Sequence, residues 1–144
     1  VADIVVDWDD MLSMDGNSGP YVQYTYARTQ SILAKSHSER SKESQEILRF
    51  TQDDKREKEE VELLRKLQYF PEMVTFASNN LSTSVLCNYL YEISKEFNSF
   101  YEKHRILNAE DENTKNFRLM LTTAVGQVIK NGLTLLGISS PQKI

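Results

Sequence analysis

Apolar residues along this chain recur at steps of three and four positions, which is the spacing of an amphipathic α-helix. The longest such series occupies the middle of the chain and consists of Val85, Tyr89, Ile93, Phe97 and Phe100. No segment shows the sustained alternation of apolar and polar residues that marks a half-buried strand. The pattern therefore predicts an all-α fold, a bundle of about five helices.

Turn-forming residues place the first two helices. Gly, Asn, Ser and Pro at residues 16–20 predict a turn, and Pro20 suits a first helical turn because its missing N–H is not needed there. This helix should run from about residue 20 to residue 35, before a serine-rich loop at residues 37–44. Asp53 or Asp54 can cap a second helix, whose predicted buried stripe is Val61, Leu64 and Leu67.

Three further helices are predicted in the second half of the chain. Pro71 begins a short helix that reaches residue 77, and Ser82 or Thr83 caps the next one. Asp111 opens the last helix, and Gly137 is a suitable C-cap for it. The apolar face of the last helix is expected to consist of Phe117, Leu121, Ala124, Val125 and Val128.

Few residues outside this pattern suggest catalysis or metal binding. Three aspartates among residues 7–10 indicate a solvated acidic turn rather than a metal cluster. Residues 4–6 are predicted to be extended and to be followed by a short turn or helix through Leu12. His37 and His104 are far apart and have no cysteine nearby, so no metal site and no catalytic residue is predicted. Cys87 lies among apolar residues and is expected to be a small buried side chain.

Composition narrows the possible partners. The 144 residues carry a net charge of −4, which argues against a non-specific nucleic-acid binder with a broad basic face. A reader of a few unstacked bases remains compatible with this charge, because such recognition depends on stacking and shape. No apolar run reaches transmembrane length and no signal peptide is present, so we expect no membrane partner and a cytoplasmic location. The start at Val1, within running sequence, suggests a fragment of a longer protein.

Several motifs occur in a specific order along the chain. The first predicted helix begins with GPYVQYTYAR at residues 19–28, and a leucine-rich stretch leads into FPEMV at residues 70–74. The central helix contains NYLYEI at residues 88–93 and FNSFY at residues 97–101. The chain closes with NGLTLLGI at residues 131–138 and a final PQKI. In this order, the motifs resemble the C-terminal anticodon-binding (DALR-type) domain of arginyl-tRNA synthetases, although residues 116–119 read NFRL and do not spell the DALR motif.

The resemblance implies a two-part organisation and a parent enzyme. Residues 1–19 would be the end of a class I catalytic domain and its junction, and residues 20–144 the helical anticodon-binding domain. The parent would be an arginine–tRNA ligase that uses ATP with magnesium, a cytoplasmic monomer whose partners are arginine tRNA and its own catalytic domain. This fragment would hold no cofactor and would be catalytically inactive, since the ATP-binding motifs of class I are absent from it.

The resemblance also implies which residues contact the anticodon. These are Tyr21, Tyr24 and Arg28 on the first helix, Tyr101 of the FY pair, and Ile144 at the tail. The middle anticodon cytosine is the family's usual identity element. The pattern of residues alone leaves open that the tyrosines are half-buried core residues with satisfied hydroxyls.

A compact basic run follows the FY pair and consists of Lys103, His104 and Arg105. It can contact phosphates, or it can complement the dipole at the end of a helix. Two alternatives for the whole chain also remain open at this point. One is a helical protein–protein interaction module, and the other is the related domain of another class I synthetase or of the glycyl-synthetase β-chain.

Overall fold

A computed structural model describes residues 7–13, 16–40 and 56–142 of the chain. Every regular element in these ranges is an α-helix, so the all-α prediction is confirmed. The six helices of the described ranges are α1 (Trp8–Leu12), α2 (Gly19–Arg40), α3 (Lys58–Gln68), α4 (Phe70–Asn79), α5 (Thr83–Lys103) and α6 (Glu112–Leu135). None of them is long and apolar enough to cross a membrane.

Helix α5 lies at the centre of the bundle and packs against α2, α3, α4 and α6. The apolar face that the sequence predicts for it forms the core, because Ile93, Phe97 and Phe100 are fully buried. Val85 and Tyr89, at the start of the same series, are only partly buried. The facing residues of α6 that complete this core are Leu121, Val125, Ile129 and Leu133.

Helix α2 begins where the turn signals place it and is longer than predicted. Gly16 adopts a left-handed conformation with φ of 92°, and Ser18 Oγ then accepts a hydrogen bond from Tyr21 N at 3.2 Å. The helix continues to Arg40, so residues 37–40 of the predicted loop are helical, and residues 41–44 lie outside the described ranges. The predicted extended segment at residues 4–6 also lies outside them.

The buried face of helix α3 agrees only in part with the one predicted, because Leu67 packs against the core but Leu64 does not. Leu64 is 39% exposed, whereas its neighbour Leu63 is fully buried together with Glu60. The helix is rotated this way because the Glu60 carboxylate pairs with a buried arginine of α6, Arg118. Its cap also differs, since Glu57 is the N-cap residue of a capping box with Glu60. The predicted caps, Asp53 and Asp54, lie outside the described residues.

The ends of the later helices agree with the local sequence signals. Ser82 is the N-cap residue of α5, and Asp111 caps α6 by accepting a hydrogen bond from Thr114 N at 2.9 Å. Gly137 follows α6 with φ of 72°, and Ile138 N donates to Leu133 O at 2.9 Å, as in a Schellman motif. These boundaries were predictable because caps depend on neighbouring residues.

Two side chains that were predicted to be apolar contacts face solvent. Cys87 is exposed, because Leu86 and Leu90 on the same helix occupy the inward positions around it. Ala124 is exposed on α6 for the same reason, since the adjacent Val125 faces the core. Both predictions of burial were therefore wrong by one position in helical register.

Candidate functional site

A cluster of polar and aromatic side chains joins α2 to α5 near the surface. Helix α2 supplies Tyr21, Tyr24 and Arg28, whose spacing of three and four residues places them on one face. Helix α5 supplies Asn98 and Tyr101, which lie three residues apart. We call these five residues the α2–α5 cluster. It brings together four of the five residues that the sequence predicts as anticodon contacts.

The guanidinium of Arg28 is the centre of the α2–α5 cluster. Its Cζ lies 4.7 Å from the ring centroid of Tyr24 and 5.0 Å from that of Tyr101. Its Nη2 donates to Tyr24 Oη at 3.0 Å. Cation–π contacts of this kind contribute about 0.5–1 kcal/mol each at exposed sites. The two rings therefore hold the guanidinium in a defined position at the surface.

Asn98 fixes Arg28 and Tyr21 from inside the bundle. It is 8% exposed, and its Oδ1 accepts a hydrogen bond from Arg28 Nη1 at 2.7 Å. Its Nδ2 donates to Tyr21 Oη at 2.9 Å and to Thr25 Oγ1 at 3.0 Å. Asn98 was not predicted from the sequence to be a functional residue. The available signal was the pair of polar residues, Ser94 and Asn98, one turn apart beside the predicted apolar face of α5.

The aromatic rings of the cluster differ in exposure. Tyr24 is 38% exposed and Tyr101 is 42% exposed, so neither is a core residue. Tyr21 is partly buried and packs against Tyr91, with the ring centroids 5.5 Å apart and the rings tilted by 55°. Exposed aromatic rings beside a guanidinium are a suitable surface for stacking unpaired bases.

The charge of Arg28 is not neutralised by a carboxylate within the described part of the chain. Its polar contacts there are the neutral amide of Asn98 and the neutral hydroxyl of Tyr24. The site is therefore positive locally, although the chain is acidic overall. A local positive charge of this kind favours electron-rich atoms of a ligand, such as phosphate or base oxygens.

The basic run after Tyr101 lies on the other side of α5. Lys103 Nζ lies 2.6 Å from Glu59 Oε1, and His104 Nε2 lies 3.1 Å from Glu59 Oε2. The hydrogen bond from Lys103, followed by that from His104, lowers the pKa of the Glu59 carboxyl from 4.5 to about 2. The same hydrogen bond raises the pKa of Lys103. Two of the three predicted phosphate contacts therefore bind a carboxylate of α3 in this structure.

The third member of the run, Arg105, is exposed. Its backbone is hydrogen-bonded to a side chain of α6. Its carbonyl oxygen accepts a hydrogen bond from Arg118 Nη1 at 2.9 Å. Arg118 Nε also donates to Glu60 Oε1 at 2.7 Å, and both side chains are at least nine-tenths buried. This buried ion pair joins α3, α6 and the segment that follows α5.

The C-terminal segment passes beside the start of α2. Gln23 Nε2 donates to Ser139 O at 2.7 Å, and Gln23 is the residue before Tyr24. This hydrogen bond holds the segment after α6 against α2 at Ser139. Ile144, the fifth predicted contact, lies outside the described residues.

The described residues contain no group of three or more His, Cys, Asp or Glu side chains able to hold a metal ion. An apolar groove of about 540 Å³ lies between α4 and α6. It is lined by Phe70, Pro71, Val74, Asn131, Thr134 and Leu135.

Comparisons with known proteins agree with the resemblance found in the sequence. The arginine–tRNA ligases of Clostridium perfringens and Clostridium beijerinckii are 44% and 46% identical to this chain over 142 residues, covering 99% of this chain and 24% of each relative. The arginyl-tRNA synthetase structure from Thermus thermophilus matches with a TM-score of 0.81 and 29% identity, covering 95% of this chain and 23% of that one. The chain thus spans about a quarter of the length of these curated relatives. A model of the DALR anticodon binding domain matches residues 22–144, and the chain therefore belongs to the DALR anticodon-binding domain family.

Proposed function

We propose that this chain binds the anticodon arm of an arginine tRNA as one domain of an arginine–tRNA ligase. The observation that carries the proposal is the α2–α5 cluster, where Tyr24 and Tyr101 expose their rings beside a guanidinium that has no carboxylate partner among the described residues. The family and the names of the relatives support it. The relatives' names also favour arginine over the other class I synthetases considered from the sequence.

In this account, anticodon bases splay out of the loop and stack on the exposed rings. Tyr24, Tyr101 and the plane of Arg28 provide the stacking surfaces, and Tyr21 adds a hydroxyl at the edge of the cluster. Stacking of this kind contributes about 1–3 kcal/mol per base. Ile144 would lie against the same bases, which is consistent with the course of the tail beside Gln23.

The basic run Lys103, His104 and Arg105 is proposed to contact phosphates at the periphery of the site. An RNA phosphate there would compete with the Glu59 carboxylate for Lys103 and His104. Only the Arg105 side chain is exposed without such a competitor among the described contacts. We therefore expect the run to contribute less to RNA affinity than the α2–α5 cluster.

The chemistry of aminoacylation belongs to the proposed parent enzyme. The parent joins arginine to its tRNA with ATP and magnesium, through an arginyl-adenylate, as a cytoplasmic monomer. Residues 1–19 are proposed to be the end of its catalytic domain, and residues 20–144 its anticodon-binding domain. The residues of this chain contribute by binding and orienting the tRNA relative to that catalytic domain.

Alanine substitution of the exposed tyrosines tests the proposal. Tyr24→Ala and Tyr101→Ala should each weaken binding of an arginine tRNA transcript by about 5- to 100-fold, as expected for the loss of one stacked base. Tyr69→Ala is the matched control, because Tyr69 is 53% exposed and lies between α3 and α4, outside the α2–α5 cluster. Its affinity should remain that of the unsubstituted chain.

Thermal unfolding of the same variants separates this function from a structural role. The midpoint should change by a few degrees at most, because both rings are more than one third exposed. A loss of stability as large as the 3–5 kcal/mol of a buried aromatic, with no selective loss of RNA affinity, would contradict the proposal. That result would favour the protein-interaction alternative, for which the apolar groove between α4 and α6 is the supporting observation.

A further inference from the structure

We propose that one end of the bundle, which is uncharged and exposes large apolar side chains, is the surface on which the catalytic domain of the parent enzyme packs. The inference rests on the proposed function, because that function supplies the parent and its catalytic domain. The surface is separate from the α2–α5 cluster and takes a protein partner rather than the RNA.

Contacts between helices define this end of the bundle. Asn17 Nδ2 donates to Asn88 Oδ1 at 3.0 Å, so the start of α2 lies beside the start of α5. Gly132, near the end of α6, faces Leu90 of α5. Helix α4 is joined to the start of α5 by a short turn. The start of α2, the α4–α5 turn and the end of α6 therefore lie together.

The sequence at this end carries no charged side chain over three stretches. Asp, Glu, Lys, Arg and His are all absent from residues 16–20, 73–88 and 131–142, which we call the uncharged end. Such stretches are uncommon in a chain of which 26% of the residues are charged. RNA phosphates need cations for binding, so the uncharged end is poorly suited to RNA and better suited to a protein surface.

Large apolar side chains are exposed at the uncharged end and beside it. Within the described residues, those that are more than half exposed lie on α1, on α4 and its flanking residues, or at the end of α6. Helix α1 packs against α2, which begins at the uncharged end. Exposed apolar side chains that are grouped on one part of a surface mark an interaction site. These side chains are Trp8, Leu12, Tyr69, Phe76, Leu81 and Leu135.

Leu81 has a conformation that leucine rarely adopts. Its φ is 49°, in the left-handed region where helices commonly end with glycine. Leu81 N donates to Ser78 O at 3.2 Å and Ser82 N donates to Ala77 O at 2.9 Å, so the end of α4 fixes this backbone. The Leu81 side chain is 95% exposed. An exposed leucine at a position suited to glycine points to a partner that binds its side chain.

The apolar groove between α4 and α6 extends the same surface. Its volume is about 540 Å³, and none of the residues that line it is charged. Val74, Thr134 and Leu135 belong both to the groove and to the uncharged end. A groove of this kind can receive an apolar side chain of a partner. A centre depleted of charge with apolar anchors is typical of stable protein interfaces.

The catalytic domain is the occupant that the course of the chain favours. The chain covers only 24% of the length of its relatives, and in the proposed parent the catalytic domain ends within residues 1–19. The Ser18 hydroxyl donates to Ser13 O, which holds this junction against the start of α2. A domain that joins the bundle here lies next to the exposed apolar side chains without a long linker.

The test compares the 144-residue chain with the full-length parent enzyme by hydroxyl-radical footprinting of side chains. Phe76, Leu81 and Leu135 should be modified about 5-fold or more slowly in the parent, because the centre of a packed interface excludes water. Met120 and Leu64 are the internal controls, since they are 42% and 39% exposed and lie outside the uncharged end. Their rates should be the same in both proteins.

Three outcomes of the footprinting experiment would overturn the proposal. The first is equal modification of Phe76, Leu81 and Leu135 in the two proteins. The second is equal protection of the controls, because the effect would then not be specific to this end. The third is dimerisation of the 144-residue chain without protection in the parent, which would assign the surface to a second copy.

Leu81→Asp tests the surface by placing a charge in it. The 144-residue variant should unfold at the same temperature or slightly higher, because Leu81 is 95% exposed and aspartate adopts its left-handed conformation more readily. In the parent, the variant should restore modification of Phe76 and Leu135, since an unpaired charge disfavours an apolar interface. Met120→Asp adds the same charge elsewhere and should leave the protection unchanged. Equal loss of protection in both variants would overturn the role of the uncharged end.

Binding of an arginine tRNA transcript distinguishes failure of this proposal from failure of the proposed function. The 144-residue Leu81→Asp variant should bind the transcript within about 2-fold of the unsubstituted chain, because Leu81 lies outside the α2–α5 cluster. Protection in the parent without transcript binding by the unsubstituted chain would contradict the proposed function and support the docking surface. Transcript binding without protection in the parent would overturn the docking surface and support the proposed function.

Discussion

At the scale of single residues, the candidate site is explained by partners that lie far apart in the sequence. Arg28 and Asn98 are 70 positions apart, and their hydrogen bond sets the orientation of both side chains. Helical spacing and the family resemblance were sufficient to place Tyr24, Arg28 and Tyr101 together. They could not identify Asn98, because its importance depends on a contact between two helices. The pairing of Lys103 with a carboxylate could not be predicted for the same reason, since its partner Glu59 is 44 positions away.

The Glu59 ion pairs predict a specific dependence of stability on pH. The folded-state pKa of Glu59 is about 2, below its ordinary value of 4.5. The pairing with Lys103 and His104 therefore stabilises the fold fully above pH 4.5, and this contribution is lost as the pH falls toward 2. Glu59→Gln should flatten the fall in the free energy of unfolding across this window.

The measurement is urea unfolding of both proteins at intervals between pH 2 and pH 5. Glu62→Gln is a suitable control, because Glu62 pairs with Lys58 at 3.7 Å in an exposed i,i+4 pair on the same helix. The control should keep the slope of the unsubstituted protein. An unchanged slope in Glu59→Gln would contradict the account of these pairs.

At the scale of helices, the sequence was most informative where a helix end depends on its neighbours. The starts of α2, α5 and α6 agree with turn and cap residues, and Gly137 ends α6 as its position predicted. The predicted buried face of α3 was wrong at Leu64, because a charged residue, Glu60, takes an inward position that an apolar pattern does not include. Its partner Arg118 lies 58 positions later, so only the folded chain reveals the pair.

Breaking the buried Glu60–Arg118 pair should strongly destabilise the bundle. Arg118→Met keeps a long side chain but leaves the Glu60 carboxylate, which is 2% exposed, without its cation. Leaving one buried charge unpaired in this way costs about 3–5 kcal/mol. Lys58→Ala, which breaks an exposed pair on the same helix, should cost about 1 kcal/mol or less. Equal free energies of unfolding for the two variants would contradict the structural role of the buried pair.

The packing of α5 against α6 depends on a glycine, Gly132, that faces Leu90. A Cβ added at Gly132 would lie 2.5 Å from Cδ2 and 2.8 Å from Cδ1 of Leu90, which is 1% exposed. Overpacking costs about 1–3 kcal/mol of stability, whereas replacing a helical glycine by alanine gains about 1 kcal/mol in helix propensity. Gly132→Ala should therefore destabilise the protein. Gly19→Ala has nothing within 4 Å of its new Cβ and serves as the control in the same thermal unfolding experiment. A higher unfolding midpoint in Gly132→Ala than in Gly19→Ala would contradict this packing argument.

At the scale of the whole molecule, an acidic chain carries a small positive site in the part that the structure describes. The net charge is −4, and Arg28 is the cation at the centre of the α2–α5 cluster. Binding that depends on stacking and on few phosphate contacts should vary little with salt, since each neutralised phosphate of a single strand contributes about −0.7 to the slope of log K against log salt. The fold class and most of the site were accessible from sequence through periodicity and motif order. The hydrogen-bond network that orients the site could not be predicted from sequence, because it depends on how α2 packs against α5.

The central claim is that the chain reads anticodon bases, and one binding measurement tests it most directly. The 144-residue chain is titrated with an arginine tRNA transcript and with the same transcript carrying a changed middle anticodon base, at two salt concentrations. The account predicts about 10-fold or greater preference for the native anticodon, as expected for about 1–3 kcal/mol per base, and a modest salt slope. Equal affinity for both transcripts, falling steeply with salt, would contradict it.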